Sequence, residues 1–275
     1  MNRNYPFVLV NVFAETHFGG NPLAVFPEAS GLDDARMQAV AKQFNLSETV
    51  FVFGDKLRIF TPDYELPLAG HPVIGTAAVL QKLRGLPESF TLHTRAKPVD
   101  IRCTDGRAVM RIAGYTCETA AATAGEFARM LGVHTADLAE HAYRVNSGSE
   151  QLLMQVMSLD ALQSATVDAE GLRTLCRDCP RDVLYLWYEE GDTVHSRLFF
   201  TSGQTVLEDS GTGSACANLG AYYAHCGRAP LTRTIFQGDG MGRPNRLSLA
   251  VDDQGIEVGG NVIEVGRGMF YSGLN

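Results

Sequence analysis

Arg58–Ala78 reads RIFTPDYELPLAGHPVIGTAA. A strand-like run, Leu57–Thr61, gives way to a bend punctuated by proline. The bend tightens at Ala69-Gly70-His71-Pro72 and opens into a helix of small residues that ends near Gly85. The first N–H groups of such a helix have no acceptor within it, and they face whatever sits in the turn. A second stretch, Arg197–Ala217, reads RLFFTSGQTVLEDSGTGSACA and repeats the order: strand, turn dense in Gly and Ser, small-residue helix. The expectation is that the two helix starts face each other across one small site and that the function lies there.

Upstream, Phe7–Phe13 and Leu23–Phe26 read as strands around the loop Thr16–Pro22. Met37, Val40, Ala41 and Phe44 recur at helical spacing behind Asp33-Asp34, either of which can cap the helix. Val50–Phe53 and Leu57–Thr61 then form a hairpin across Gly54-Asp55-Lys56. Downstream, Phe90–Leu92, Val99–Cys103 and Ala108–Ile112 alternate as short strands, with Asp105-Gly106 as a turn. The Ala- and Thr-rich Tyr115–Gly125 reads as a domain boundary, dividing the chain at 1–116 and 117–263. The second half again runs strands, helices, paired strands, turn, helix and further short strands. Among those last strands, Ile256–Val258 and Val262–Val265 are separated by a Gly turn. The shared order points to a duplicated α+β unit.

Composition narrows the function. The 275 residues are 45% hydrophobic and 20% charged, and the net charge is −8. A phosphate-backbone binder needs clustered Lys and Arg, so nucleic acid is not an expected partner. No apolar run is long enough for a secretion signal or a membrane span, so the expected location is the cytoplasm, with no membrane partner. Its six cysteines are then expected as reduced thiols. Cys176 and Cys179 have redox or zinc spacing, but no second pair accompanies them, and they read as packed or surface thiols. The histidines show no ligand spacing, so no metal is expected. No Ser sits in the G-x-S-x-G setting of a serine hydrolase.

Three places carry chemistry. Glu48, in Asn45-Leu46-Ser47-Glu48-Thr49, has mostly apolar neighbours, which raise a carboxyl's pKa toward the range of a general acid or base. The alternative is that it solvates a loop. His71, between Gly70 and Pro72, is biased toward neutrality at a helix N-terminus and could orient or shuttle a proton. Alternatively, it caps the helix. Asp209 is suited to cap the second helix, while Gly211 and Gly213 bare their N–H groups and Ser214 offers a hydroxyl. A substrate carboxylate is the natural guest there, and an ordinary capped turn is the alternative.

Five stretches together resemble the phenazine-biosynthesis isomerase-like (PhzF-like) family. They are Asn11–Phe26 (NVFA…FGGNPLAVF), Asn45–Thr49 (NLSET), Ile59–Ala77 (IFTPDYELPLAGHPVIGTA), Glu208–Ala215 (EDSGTGSA) and Gln237–Pro244 (QGDGMGRP). The resemblance spans nearly the whole chain. It implies an α+β fold like that of diaminopimelate epimerase: two pseudo-symmetric halves, each a curved sheet around a central helix, with the active site in the cleft between them. The tail, from about residue 264 to 275, would rejoin the first half.

The resemblance further implies a homodimeric, cofactor-independent isomerase of a small carboxylate-bearing metabolite, similar to trans-2,3-dihydro-3-hydroxyanthranilate isomerase. Glu48 matches the proton-transferring residue. His71 and Asp209 match assisting groups, and Gly70, Gly213 and Ser214 match the carboxylate site. One departure stands out: the family more often reads EDPATGSA where this chain has Ser210-Gly211, which could loosen or re-aim the turn. Two other classes remain open: a carboxylate-binding protein without turnover, and a racemase working through Cys216. The second has no matching thiol in the first turn.

Overall fold

The computed structural model describes residues 4–271. The chain divides into two compact units: one runs to Arg111 and takes back the chain from Gly259 onward, and the other is Ile112–Val258.

In the first unit β1 (Asn4–Val12) pairs antiparallel with β2 (Asn21–Phe26). Helix α1 (Asp34–Phe44) then leads to β3 (Glu48–Phe53), which lies parallel to β2. β4 (Lys56–Phe60) returns along β3, and β5 (Glu65–Leu66) pairs back on β4. Helix α2 (Gly70–Arg84) follows, and then the meander β6 (Ser89–His93), β7 (Pro98–Thr104) and β8 (Arg107–Ile112).

Alternation along these strands sorts the side chains. Val10, Val12 and Leu23 face α2 at Gly75. Tyr5, Phe26, Phe51 and Phe60 pack on the opposite face against Met37, Val40 and Ala41 of α1. Phe26 and Phe51 stack with ring centroids 5.0 Å apart. With both faces covered, the strands read as near-continuous apolar runs. Every residue of α2 from Gly70 to Leu80 is buried, as expected of a helix apolar all round.

The second unit begins with β9 (Thr116–Thr123), α3 (Ala124–Leu131), β10 (His141–Asn146) and β11 (Gln151–Gln155). Helices α4 (Leu159–Ser164) and α5 (Ala169–Leu175) lead to β12 (Val183–Glu190), β13 (Thr193–Ser202) and β14 (Thr205–Asp209). Next come α6 (Gly213–His225), β15 (Leu231–Gln237), β16 (Asn245–Asp252) and β17 (Gly255–Tyr271). Parallel pairs β11·β12 and β13·β15 sit among antiparallel ones. Phe127, Leu131, Leu162, Leu172 and Leu175 of α3–α5 cover Leu152, Met154, Leu184, Leu186 and Phe199 of the strands. Helix α6 is buried through Ala215–Ala221. The far part of β17 belongs to the first unit, where it pairs antiparallel with β1 from Val12↔Val262 to Asn4↔Tyr271.

The Ala- and Thr-rich segment that follows the first unit holds a strand: Thr116–Cys117-Glu118-Thr119 pair with Asn146 back to Tyr143 of β10, so ladder pairing overrides weak local propensity. One expectation is corrected. Residues 256–265 are not two strands around a turn but part of one 17-residue strand. Gly259 there serves close approach rather than turning, because a Cβ would lie 2.6 Å from the carbonyl oxygen of Ala108. Among the described residues no helix is long and apolar enough to cross a membrane.

Candidate active site

Glu48 is the first residue of β3, opposite Leu23 of β2. The period of two puts it on the same face as Val50 and Val52, opposite to Phe51, and so on the face toward α2. His71 is the second residue of α2. Its Nε2 lies 3.3 Å from Glu48 Oε2, and the two side chains are only 5% and 15% exposed. Beside it, Ser47 Oγ donates to Asn21 Oδ1 at 3.2 Å, tying the β3 entrance to β2. His71 is not a cap: the N-cap position is Ala69, which makes no side-chain cap bond. A carboxylate 3.3 Å away would favour imidazolium, but burial works the other way and wins, lowering the His71 pKa to about 3. The contact therefore joins a neutral imidazole to a carboxyl group, a pair able to hold one mobile proton.

The second stretch is held differently. Asp209 ends β14, and Thr212 rather than Asp209 occupies the N-cap position of α6. Thr212 Oγ1 donates to Asp209 Oδ2 at 2.5 Å. Gln237, 1% exposed, grips both ends of the turn. Its Oε1 accepts from the Thr212 N–H at 3.1 Å, and its Nε2 donates to the Asp209 carbonyl at 2.8 Å and to Thr212 Oγ1 at 3.0 Å. The Ser210-Gly211 departure does not leave this turn loose. Its cause lies in β16: a Cβ at Gly211 would fall 2.2 Å from Oδ1 of Asn245, which is fully buried and donates to the Arg243 carbonyl at 2.9 Å. Gly211→Ala should therefore destabilise by about 1–3 kcal/mol, read as a lower denaturant midpoint. Asn245→Ser should recover most of that loss, and equal midpoints for wild type and Gly211→Ala would refute the account.

Ser214, half-buried, is the second residue of α6, and its Oγ accepts from Gln151 Nε2 at 3.0 Å. Helices α1, α3, α4 and α5 all carry side-chain N-caps, from Asp33, Thr123, Ser158 and Asp168. The two buried helices, α2 and α6, start with none. No N-cap side chain closes the start of either helix, and in α2 the third position is Pro72, which has no N–H to offer one.

The two stretches also share a brace. Arg58 makes a bidentate pair with Glu65 and lies over Phe60, 5.4 Å from its centroid; Phe60 stands opposite Glu65. Arg197 makes the same pair with Glu208 and lies 4.6 Å over Phe199, which stands opposite Glu208. Such forked pairs fix geometry as well as adding energy. Each ties together the two paired strands that precede a helix start, β4 to β5 and β13 to β14.

Cys216 is fully buried in α6, and burial pushes its thiol pKa up, which disfavours the thiolate. Among the described residues no cluster of three His, Cys, Asp or Glu side chains converges as a metal site would. Gln151, Thr212, Asn218 and Asn245 were not singled out in the sequence, and Gln237 figured there only as the head of QGDGMGRP. Their importance lies in contacts with residues far away in the chain.

Relatives that match over almost the full length include proteins named isomerases, and this chain is an isomerase too. An uncharacterized isomerase of Pasteurella multocida is 46% identical over 97% of this chain and 94% of its own length. The trans-2,3-dihydro-3-hydroxyanthranilate isomerase of Pseudomonas aeruginosa is 33% identical over 96% of this chain and 99% of its own. The family model described as phenazine biosynthesis-like protein matches residues 10–268, and the chain belongs to that family. A PhzF-family crystal structure from Bacillus anthracis shares the fold, with a TM-score of 0.85 at 23% identity, over 97% of this chain and 99% of that one.

Proposed function

We propose that this isomerase moves a proton between carbons of a small, unsaturated, carboxylate-bearing metabolite by general acid/base catalysis without a cofactor. The chemical class is that of trans-2,3-dihydro-3-hydroxyanthranilate. The observation that carries the reading is the buried Glu48–His71 contact of 3.3 Å. Glu48 takes a proton from carbon beside an unsaturated group and returns it elsewhere. His71 and Asp209 hold polar substituents and steady the charge that develops. The Gly70 and Gly213 amides and the Ser214 hydroxyl receive the carboxylate. In this reading the protein adopts the diaminopimelate-epimerase-like arrangement and works as a cytoplasmic homodimer; light scattering tests the oligomeric state.

The direct test is incubation with trans-2,3-dihydro-3-hydroxyanthranilate and related cyclic amino and hydroxy carboxylates in deuterated water. Mass spectrometry should find deuterium at a ring carbon of the isomerised product. Binding without exchange across that panel would replace this reading with a carboxylate-binding protein on the same fold.

A further inference from the structure

At the start of α6 the direction of one hydroxyl proton is set from behind. Gln151 Nε2 donates to Ser214 Oγ at 3.0 Å, and Gln151 Oε1 accepts from Asn218 Nδ2 at 2.9 Å. Asn218 is itself pinned by main-chain groups. Its Oδ1 accepts from the Ser147 N–H at 2.9 Å and from the Ser147 hydroxyl at 2.7 Å, while its Nδ2 also donates to the Ser149 carbonyl at 2.8 Å. A backbone N–H only donates and a backbone carbonyl only accepts. Turning the Asn218 amide over would set donor against donor and acceptor against acceptor.

That choice propagates. With Asn218 fixed, Gln151 must turn its oxygen inward and its NH2 toward Ser214. Ser214 Oγ then accepts from the interior, and its own hydrogen is left for a partner outside the chain of amides. Asn218 is 0% and Gln151 3% exposed, so water cannot relieve a reversed arrangement. The chain runs from Ser147 through Asn218 and Gln151 to Ser214, and every link has a forced sense.

We propose that Gln151, locked by Asn218, is a positioning residue that holds the Ser214 hydroxyl as a donor, so that this helix start selects an anionic carboxylate over a neutral carboxamide. The inference rests on the reading above that Ser214 meets the substrate's carboxylate.

Calorimetric titration with 3-hydroxyanthranilate and with its carboxamide, 3-hydroxyanthranilamide, tests it. Wild type should prefer the acid. In Gln151→Glu the side chain has no NH2 to offer; an oxygen faces Ser214, draws its hydrogen inward and turns its lone pairs outward. Acid affinity should fall roughly tenfold to a hundredfold, with amide affinity nearly unchanged. Gln151→Met, close in volume and uncharged, removes the donor without reversing it and should give a smaller loss of the same preference. This second variant guards against misfolding caused by the buried charge, and thermal unfolding reports the state of both.

The coupling is decisive. In a Ser214→Ala background Gln151→Met should change the acid-to-amide ratio no further, which a merely structural role would not produce. If Ser214→Ala erodes the preference while both Gln151 variants fold and keep it, the inference fails alone. If wild type shows no preference and Ser214→Ala changes nothing, the carboxylate reading fails instead.

Discussion

Glu48→Gln is expected to abolish deuterium exchange and turnover while leaving the fold intact. The substitution keeps the shape of the side chain and its approach to His71, which is 3.3 Å in the native pair, but removes the group that takes up and returns the proton. A positioned acid/base contributes about 10²–10⁴-fold to rate, so the residual rate should fall by at least that factor. Binding of 3-hydroxyanthranilate, which needs no proton transfer, should persist. The combination with His71→Gln should cost little more than Glu48→Gln alone, because residues acting as a unit are not additive. A Glu48→Gln enzyme that exchanges deuterium at the native rate would remove Glu48 from the mechanism and leave His71 as the candidate base.

The placement of Glu48 shows how far sequence reading reaches. The strand from Val50 and the helix after Gly70 are local patterns, legible from apolar runs, Gly and Pro. Once β3 is a strand and α2 is buried, alternation alone directs Glu48 toward the helix. Two local readings then meet at one contact. The other turn behaves differently. Asp209 and Gly213 mark it in the sequence, but what holds it is Gln237, 25 residues beyond Thr212, and what shapes it is Asn245. Ser214 is addressed by Gln151, 63 residues earlier. Nothing in a Gln, Asn or Thr taken singly reveals a partner at such a distance. Their chemistry is directional, and direction exists only after the strands have been brought together. The strand Thr116–Thr123 escapes the sequence for the same reason: it forms because β10 lies beside it, not because Ala and Thr demand it.

Acid lability is the second large effect expected, and its sign identifies what controls His71. An ordinary histidine titrates near 6.5, whereas burial lowers the folded-state value here to about 3. Between those values the unfolded chain binds a proton that the folded chain refuses, so stability rises with pH across that window. The contribution is fully present above about pH 6.5 and is lost as pH falls toward 3. It amounts to as much as about 1.4 kcal/mol per pH unit, a few kcal/mol in all. Urea unfolding of wild type and His71→Gln at a series of pH values should differ by close to one proton in slope through this range. The difference should survive in a Glu48→Gln background, because desolvation rather than the carboxyl sets the shift. Were His71 instead held as imidazolium by Glu48, the sign would reverse: its contribution would be complete at low pH and would vanish as pH rose through a raised folded-state value. Stability that falls between pH 6 and 9 in wild type, but not in His71→Gln, would establish that opposite case. It would also turn the neutral partner of Glu48 into a fixed cation, fit to steady negative charge but not to take up a proton.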